Sequence, residues 1–216
     1  MPKIKAARKS TWVDMTAFVD VAFLILSFFM LATKFKPEEP VEITTPSSVS
    51  AKQLPEKDAM LISIDKDGRV FFAVDNPDMR EQIITNLNNT RNLGLTPKHI
   101  ASYKNAPSVG VPFSQLPQLL SLTPEQQIKA KQPGIPVDST GGELAFWIRD
   151  AISVYAGRTL NFLIKADNST KYPSFKGVVN ALKINDQNKF LLITSGEDAP
   201  TGSDLERKRA QEAKKK

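Results

Sequence analysis

The sequence predicts a single N-terminal transmembrane helix followed by a small α+β domain. That domain is predicted to have a mixed sheet, two helices packed on one face of the sheet, and an insertion. Three observations lead to this prediction. Residues 12–33 are almost wholly apolar and long enough to cross a membrane. Strand-like and helix-like hydrophobic patterns alternate between residues 59 and 195. A proline-rich excursion at about residues 76–140 interrupts them.

Composition sets the predicted boundaries along the chain. Prolines at positions 37, 40, 46 and 55 favour an extended linker after the apolar run, in which Val41–Thr44 is a candidate edge strand. The predicted segments are a basic N-terminus at 1–11, a transmembrane helix at 12–33, the linker at 34–58, the domain at 59–195 with its insertion at about 76–140, and a charged tail at 196–216.

Asp20 lies inside the apolar run. About 20 helical residues at about 1.5 Å each span the roughly 30 Å of hydrocarbon in a bilayer. A carboxylate at that depth costs about 2.5–3.5 kcal/mol on insertion scales, and anchoring alone does not require it. Asp20 is therefore predicted to relay protons or ions while facing a partner or a wet cavity. The alternative is that Asp20 only docks against a polar partner helix.

Two hydroxyl side chains share the predicted helix face of Asp20. Residues three, four and seven apart lie on one side of a helix, so Thr16 and Ser27 join Asp20 in a stripe, which Val13 and Leu31 extend. We predict that Thr16 and Ser27 take part in proton translocation with Asp20. Because lipid cannot solvate such a stripe, the pattern implies a partner with membrane helices of its own.

Asp14 lies near the start of the apolar run, where a carboxylate reaches the water at the headgroups at little cost. The simplest interpretation of Asp14 is that it lies at the interface between membrane and water. The alternative is that Asp14 passes protons between Asp20 and the aqueous side. The two acids are six residues apart, on different helix faces and roughly 10 Å from each other, so exchange would need water or a partner group.

The flanking charges predict the orientation of the helix. Lys3, Lys5, Arg8 and Lys9 precede it without any acid, which favours a cytoplasmic N-terminus and export of everything after Thr33. The apolar run is too long for a cleaved signal peptide and lacks a small-residue cleavage pattern, so we expect an uncleaved anchor.

Composition excludes several classes of protein. The chain has no cysteine and one histidine, His99, so no disulfide framework, thiolate site, metal site or cofactor site is predicted. The net charge of +6 arises at the two ends of the chain. A nucleic-acid-binding protein would carry that excess on a folded face. No phosphate loop or nucleophile elbow occurs, so the exported domain is predicted to bind or dimerise and not to be an enzyme.

The elements of the domain follow from hydrophobic period and turn residues. Asp67-Gly68 predicts a hairpin turn, and the stretch 89–140 is interpreted as an inserted subdomain or long excursion. The predicted strands are 60–65, 69–74, 159–165 and 189–194. The predicted helices are 79–88, 113–121, 124–131, 143–155 and 173–182.

The apolar run resembles the membrane helix of the ExbD/TolR family, whose hallmark is a Thr-Pro-Phe-Ile/Val-Asp core. Here the core is Thr16-Ala17-Phe18-Val19-Asp20. The hairpin LISIDKDGRVFF, the segment FLIKADNSTKYPSFKGVVNALK and the strand FLLIT also resemble the family's periplasmic domain. The resemblance covers about residues 11–75 and 141–195. Ala17 departs from the family's proline, and the excursion exceeds the compact family domain.

The resemblance implies a proton-driven motor subunit in the bacterial inner membrane. Two copies of the helix are expected inside a pentamer of an ExbB/TolQ-like multi-spanning subunit. Asp20 would couple the proton gradient to a periplasmic domain that acts on a TonB-like transducer, with peptidoglycan a further candidate partner. We favour the TonB-linked branch. The alternatives are a TolR-like subunit in envelope maintenance, a passively anchored periplasmic scaffold or cell-wall-binding protein, and a flagellar-type stator.

Overall fold

The computed structural model describes residues 15–32, 40–49, 54–55, 57–138, 142–197 and 203. The chain divides into two units, Met1–Pro37 and Glu38–Lys216. The first unit contains helix α1 (Met15–Ala32), none of whose residues is buried. The second unit contains all the other described elements and the hydrophobic core.

The second unit is built on a four-stranded mixed sheet. In the sheet order β3-β2-β4-β5, β2 pairs antiparallel with β3, and β4 pairs parallel with both β2 and β5. Strands β1 and β6 form a separate parallel pair. The strands are β1 (Ser47–Ser48), β2 (Ala59–Ile64), β3 (Val70–Val74), β4 (Asn161–Ala166), β5 (Leu191–Ile193) and β6 (Ser195–Gly196).

Helices fill the sequence between the strands. Two of them, α6 and α7, flank β4 in the chain and agree with the predicted helices at 143–155 and 173–182. The helices of this unit are α2 (Pro77–Arg91), α3 (Pro97–Asn105), α4 (Leu116–Leu120), α5 (Pro124–Lys129), α6 (Gly142–Val154) and α7 (Tyr172–Ile184), with a 3-10 turn at Phe113–Gln115 before α4.

One face of the central strand β2 is fully buried. Alternate residues of β2, namely Met60, Ile62 and Ile64, have no exposed surface, as expected for a strand with one face against the core. Trp147 of α6 packs on this face, with its ring centre 5.1 Å from that of Phe72 in β3. Buried residues of α7 join the same core. The predicted α+β fold with helices against a mixed sheet is confirmed.

The β2–β3 hairpin turns where Asp67-Gly68 predicts it. Gly68 adopts φ +80°, a left-handed conformation that glycine adopts without strain. The buried carboxylate of Asp65 accepts hydrogen bonds from the backbone N–H groups of Asp67 at 3.0 Å and Arg69 at 2.8 Å. Asp65 therefore closes the turn from inside, in agreement with a hairpin role for the acids at 65 and 67.

The excursion from residue 76 packs into the same core as the sheet. Leu95, Tyr103, Val109, Leu116 and Ile135 belong to the continuous buried cluster that includes the sheet. The backbone of Val109 pairs with that of Phe72 beside β3, and the N–H of Ile135 donates to the carbonyl of Val70 at 2.8 Å. Of the two interpretations of this stretch, these contacts over residues 76–138 favour a long excursion that extends one domain.

Two predicted details differ from the structure. No strand forms at Val41–Thr44, because Thr44 bonds to the turn after β4 through its N–H and its carbonyl and not to a neighbouring strand. The strand of the linker is instead β1. Helix α3 was not predicted; Pro97 stands at its first position, where proline is favoured.

Candidate functional site

Helix α1 is the one described helix with the length and composition of a membrane span. Its 18 residues are almost all apolar and correspond to a length of about 27 Å, close to the roughly 30 Å of hydrocarbon in a bilayer. A leucine- and phenylalanine-rich segment without glycine or an internal proline favours a continuous helix in that environment.

Asp20 is exposed on α1 beside Thr16. Both residues line a shallow concavity of about 510 Å³ together with Ala17, Val19 and Phe23. The i and i+4 spacing brings the hydroxyl and the carboxyl group to one side of the helix, as the sequence predicts. The concavity places the acid in an otherwise apolar setting, where only Thr16 supplies a second polar side chain.

Ser27 is the third residue predicted to take part in proton translocation. Its hydroxyl donates to the backbone carbonyl of Leu24 at 2.9 Å, and Ser27 is not part of the concavity lining. It lies on the same side of the helix but about two turns from Asp20. The structure therefore brings Thr16 and Asp20 together and leaves Ser27 apart. Asp14 lies outside the described residues.

The apolar side chains of α1 are all exposed within its own unit. Phe18, Phe23, Phe28 and Met30 each leave well over half of their surface uncovered. A carboxylate on such a surface cannot face lipid without a large desolvation cost. In a membrane, lipid would cover these apolar side chains, and Asp20 would need a polar group or water beside it.

A second cluster of polar contacts attaches the linker to the domain. The N–H of Thr44 donates to Asp167 Oδ2 at 2.9 Å, and the N–H of Asn168 donates to the carbonyl of Thr44 at 2.9 Å. The other carboxylate oxygen, Asp167 Oδ1, accepts the N–H and the hydroxyl of Ser169. The Ser169 bonds, followed by the Thr44 bond, hold the pKa of Asp167 below its usual value.

The β1–β6 pair continues this attachment. The N–H of Ser195 donates to the carbonyl of Pro46 at 2.9 Å, and the N–H of Glu197 donates to the carbonyl of Ser48 at 3.0 Å. The hydroxyls of Thr45 and Ser195 lie 2.7 Å apart. This role of Asp167 was not predicted, although the Asp-x-Ser spacing is typical of a turn whose carboxylate is held in place.

The described residues contain no group of three or more histidine, cysteine, aspartate or glutamate side chains suited to a metal ion. His99 caps α3 by accepting the N–H of Thr96 through Nδ1, and its Nε2 lies 3.0 Å from Ser121 Oγ. Its contacts are thus structural.

Comparison with known proteins places the chain in a class. The family model described as biopolymer transport protein ExbD/TolR matches residues 7–197. That range covers nearly the whole chain and includes both α1 and the domain, so the chain belongs to the ExbD/TolR family. Comparisons with curated proteins and with solved structures gave no match.

Family membership supports a role in biopolymer transport and energy transduction. Members of this family are transport-related and not enzymes, and they generally work with ExbB/TolQ and TonB/TolA partners. The apolar helix α1 and the family together fit a single-pass protein of the inner membrane.

Proposed function

We propose that the chain is an ExbD-like subunit of an inner-membrane motor, coupled to the proton-motive force, that powers TonB-dependent transport across the outer membrane. In this proposal Asp20 carries the proton. The single observation behind it is an exposed carboxyl group on an otherwise apolar, membrane-length helix. Because a carboxylate at membrane depth is costly, such a residue marks either a functional group or an interaction with a polar partner.

Proton passage would use the side of α1 that Asp20 and Thr16 share. One proton crossing 100 mV releases about 2.3 kcal/mol, and loading and unloading of Asp20 would convert this energy into movement of the helix. Thr16 can donate a hydrogen bond to the carboxylate or accept one from the protonated acid. Ser27 would have to leave the Leu24 carbonyl before it could contribute.

The proposed setting follows from the same helix. An ExbB/TolQ-like pentamer would enclose two copies of α1 and supply the polar environment that Asp20 lacks. The basic N-terminus would stay in the cytoplasm and the domain would occupy the periplasm. There the domain would act on a TonB-like transducer, with peptidoglycan a further candidate partner.

The test compares Asp20→Asn with Asp20→Glu in cells that carry the native partner subunits. Asparagine preserves shape and hydrogen bonding but cannot ionise, so we expect gradient-dependent transport to fall to background. Glutamate keeps an ionisable group displaced by one methylene, so we expect partial transport. Copurification with the multi-spanning subunit serves as the control for assembly.

Normal transport by the Asp20→Asn protein, with assembly intact, would contradict the proposal. Asp20 would then be a docking residue, and a passively anchored scaffold would account for the chain. Loss of assembly in Asp20→Asn but not in Asp20→Glu would instead assign the carboxylate to helix docking.

A further inference from the structure

A groove of about 440 Å³ lies between three separate segments of the domain. The linker contributes Pro40–Glu42, and the β2–β3 hairpin contributes Lys66, Arg69 and Phe71. The end of α5 and the segment that follows it contribute residues 128–132. Its volume falls within the range of about 300–1,000 Å³ that is typical of ligand sites. We call it the lysine groove.

Positive charge dominates the lysine groove. Lys66, Lys129 and Lys131 are exposed and line it, whereas Glu42 is its one acidic lining residue. None of the three lysines forms a salt bridge with another described residue. Lys129 is attracted to the nearby Glu125 and Lys66 to Asp167, but neither lysine is held in a contact ion pair, so both can meet a ligand.

Arg69 has a structural role at the same place. Its Nε donates to Asp65 Oδ2 at 2.6 Å, and its Nη1 donates to the carbonyl of Gln132 at 3.2 Å. Both contacts fix Arg69 between the hairpin and the segment after α5. The charge available for recognition therefore comes from the lysines.

Two buried glutamines hold the wall that carries Lys129 and Lys131. Gln132 accepts the N–H of Gly110 at 2.7 Å and donates to the carbonyl of Gln127 at 3.0 Å. Gln127 in turn donates to Ser102 Oγ at 2.8 Å and to the carbonyl of Leu122. Buried amides that bond to backbone rigidify the segment, so the lysines are presented by a fixed wall.

Gly134 lets this wall approach the hairpin closely. Its φ is +95°, and a Cβ at this position would lie 2.9 Å from the Arg69 Cα and the Val70 N. The adjacent N–H of Ile135 bonds to Val70. The two positively charged sides of the groove are thereby kept at a fixed separation.

The lining between the lysines is partly apolar. Phe71 is buried at the groove, while Val41, Ile128 and Ala130 are half-buried. Apolar surface flanked by ammonium groups suits a peptide that carries both carboxylate and aliphatic side chains. No exposed aromatic ring occurs among the lining residues for a sugar ring to stack on, which favours a peptide over a glycan.

We propose that the lysine groove binds an acidic, extended segment of a partner protein. The assignment deepens the proposed function by giving the domain a partner-binding site, and it rests on that function for the identity of the partner. Binding itself needs no proton gradient, so it is measured independently of the Asp20 experiment.

The experiment measures binding of a fluorescent peptide of alternating Glu and Val to the full-length chain in detergent by anisotropy. We expect the double variant Lys129→Gln/Lys131→Gln to weaken binding by about tenfold, and Lys66→Gln on the opposite wall to weaken it by about threefold. The matched control is Lys183→Gln/Lys189→Gln, which removes the same charge from exposed positions outside the groove. The control should change binding by less than about twofold.

Two outcomes would overturn the proposal. Equal weakening by the groove and control variants would indicate attraction to net charge alone. Unchanged peptide binding by the groove variants, with reduced binding to isolated peptidoglycan, would assign the groove to the cell wall. The Asp20→Asn protein should bind the peptide normally, so failure of proton coupling and failure of the groove proposal are told apart.

Discussion

At the residue scale, two aspartates with opposite surroundings summarise how the two units differ. Asp65 is fully buried, and its carboxylate accepts hydrogen bonds from two backbone N–H groups of the hairpin and from the Arg69 guanidinium. Asp20 is exposed on an apolar helix, with Thr16 as its polar neighbour in the concavity. The domain therefore compensates its buried acid internally, whereas under the proposed function a partner would supply the polar groups for Asp20.

The first prediction concerns Asp65. Replacing it by alanine should lower the free energy of unfolding of the domain by about 3 kcal/mol, because a buried pair loses one member; the value is at the low end because the Arg69 side chain is 27% exposed and reaches water. Asp65→Asn keeps an acceptor for the turn and should cost less. Denaturant unfolding followed by circular dichroism measures both.

Asp67→Ala is the control for this prediction. Asp67 is 62% exposed and lies 3.6 Å from Arg69, so its loss should change the free energy of unfolding by less than about 1 kcal/mol. Equal effects of the two substitutions would show that the turn, and not burial of the charge, determines the loss.

Residue positions on α1 were predictable, whereas hydrogen-bond partners were not. Helical spacing suffices to place Asp20, Thr16 and Ser27 on one side. Spacing does not indicate that the Ser27 hydroxyl bonds to the carbonyl of Leu24. That choice depends on the rotamer, because a serine in a helix can reach the backbone of the preceding turn.

At the element scale, the β2–β3 hairpin and helices α6 and α7 follow from local pattern and turn chemistry. The helices of the excursion were harder to predict, because proline disrupts the interior of a helix but is also favoured at its first positions. Pro77, Pro97, Pro117 and Pro124 all stand within the first two positions of a helix, where the missing N–H has no intrahelical partner to lose. Thr96, which caps α3 as Thr123 caps the predicted α5, was the signal that could have identified α3.

Trp147 joins the excursion to the sheet. Its ring centre lies 5.6 Å from that of Tyr103 in α3 and 5.8 Å from that of Phe113, in addition to Phe72. Trp147→Ala should therefore reduce the free energy of unfolding by about 3–5 kcal/mol. Because the core is shared, circular dichroism and hydrogen exchange of α3 should report one common transition at lower denaturant.

The matched control is Tyr172→Ala, which removes an aromatic side chain that is 70% exposed. It should change the free energy of unfolding by less than about 0.5 kcal/mol. Separate transitions for α3 and for the sheet in the Trp147→Ala protein would contradict a shared core.

At the scale of the whole molecule, the contacts of the linker connect distant parts of the sequence. The N–H of Thr44 donates to the Asp167 carboxylate, and the N–H of Ser195 donates to the carbonyl of Pro46. No local periodicity encodes such pairs, since each is fixed by where the sheet places the ends of β4 and β5. This is why the linker was predicted as extended but its attachment was not.

The last prediction concerns Asp167. Asp167→Ala should increase hydrogen exchange of the linker at residues 44–48, and Ser195→Ala, which removes a single hydroxyl from the same attachment, should increase it less. In the native protein the folded-state pKa of Asp167 lies below its unfolded value, which is about 3.9. Its contribution is therefore complete above that pH and is lost as the pH falls through the folded pKa.

Hydrogen exchange of the linker at neutral pH and near pH 3, corrected for the intrinsic rate, measures this dependence. The native chain should show added exchange at the lower pH, and the Asp167→Ala chain should show little further change. A pH response of equal size in both proteins would assign it to other acids.

The parallel β1–β6 pair means that the polypeptide enters and leaves the domain through the same two-stranded ribbon. Tension applied along the linker would thus load the Asp167 contact and the short β1–β6 ladder before it reached the four-stranded sheet. These few hydrogen bonds are the weakest link in that load path. Under force, the β1–β6 ribbon would detach first while the four-stranded sheet and its core stayed folded.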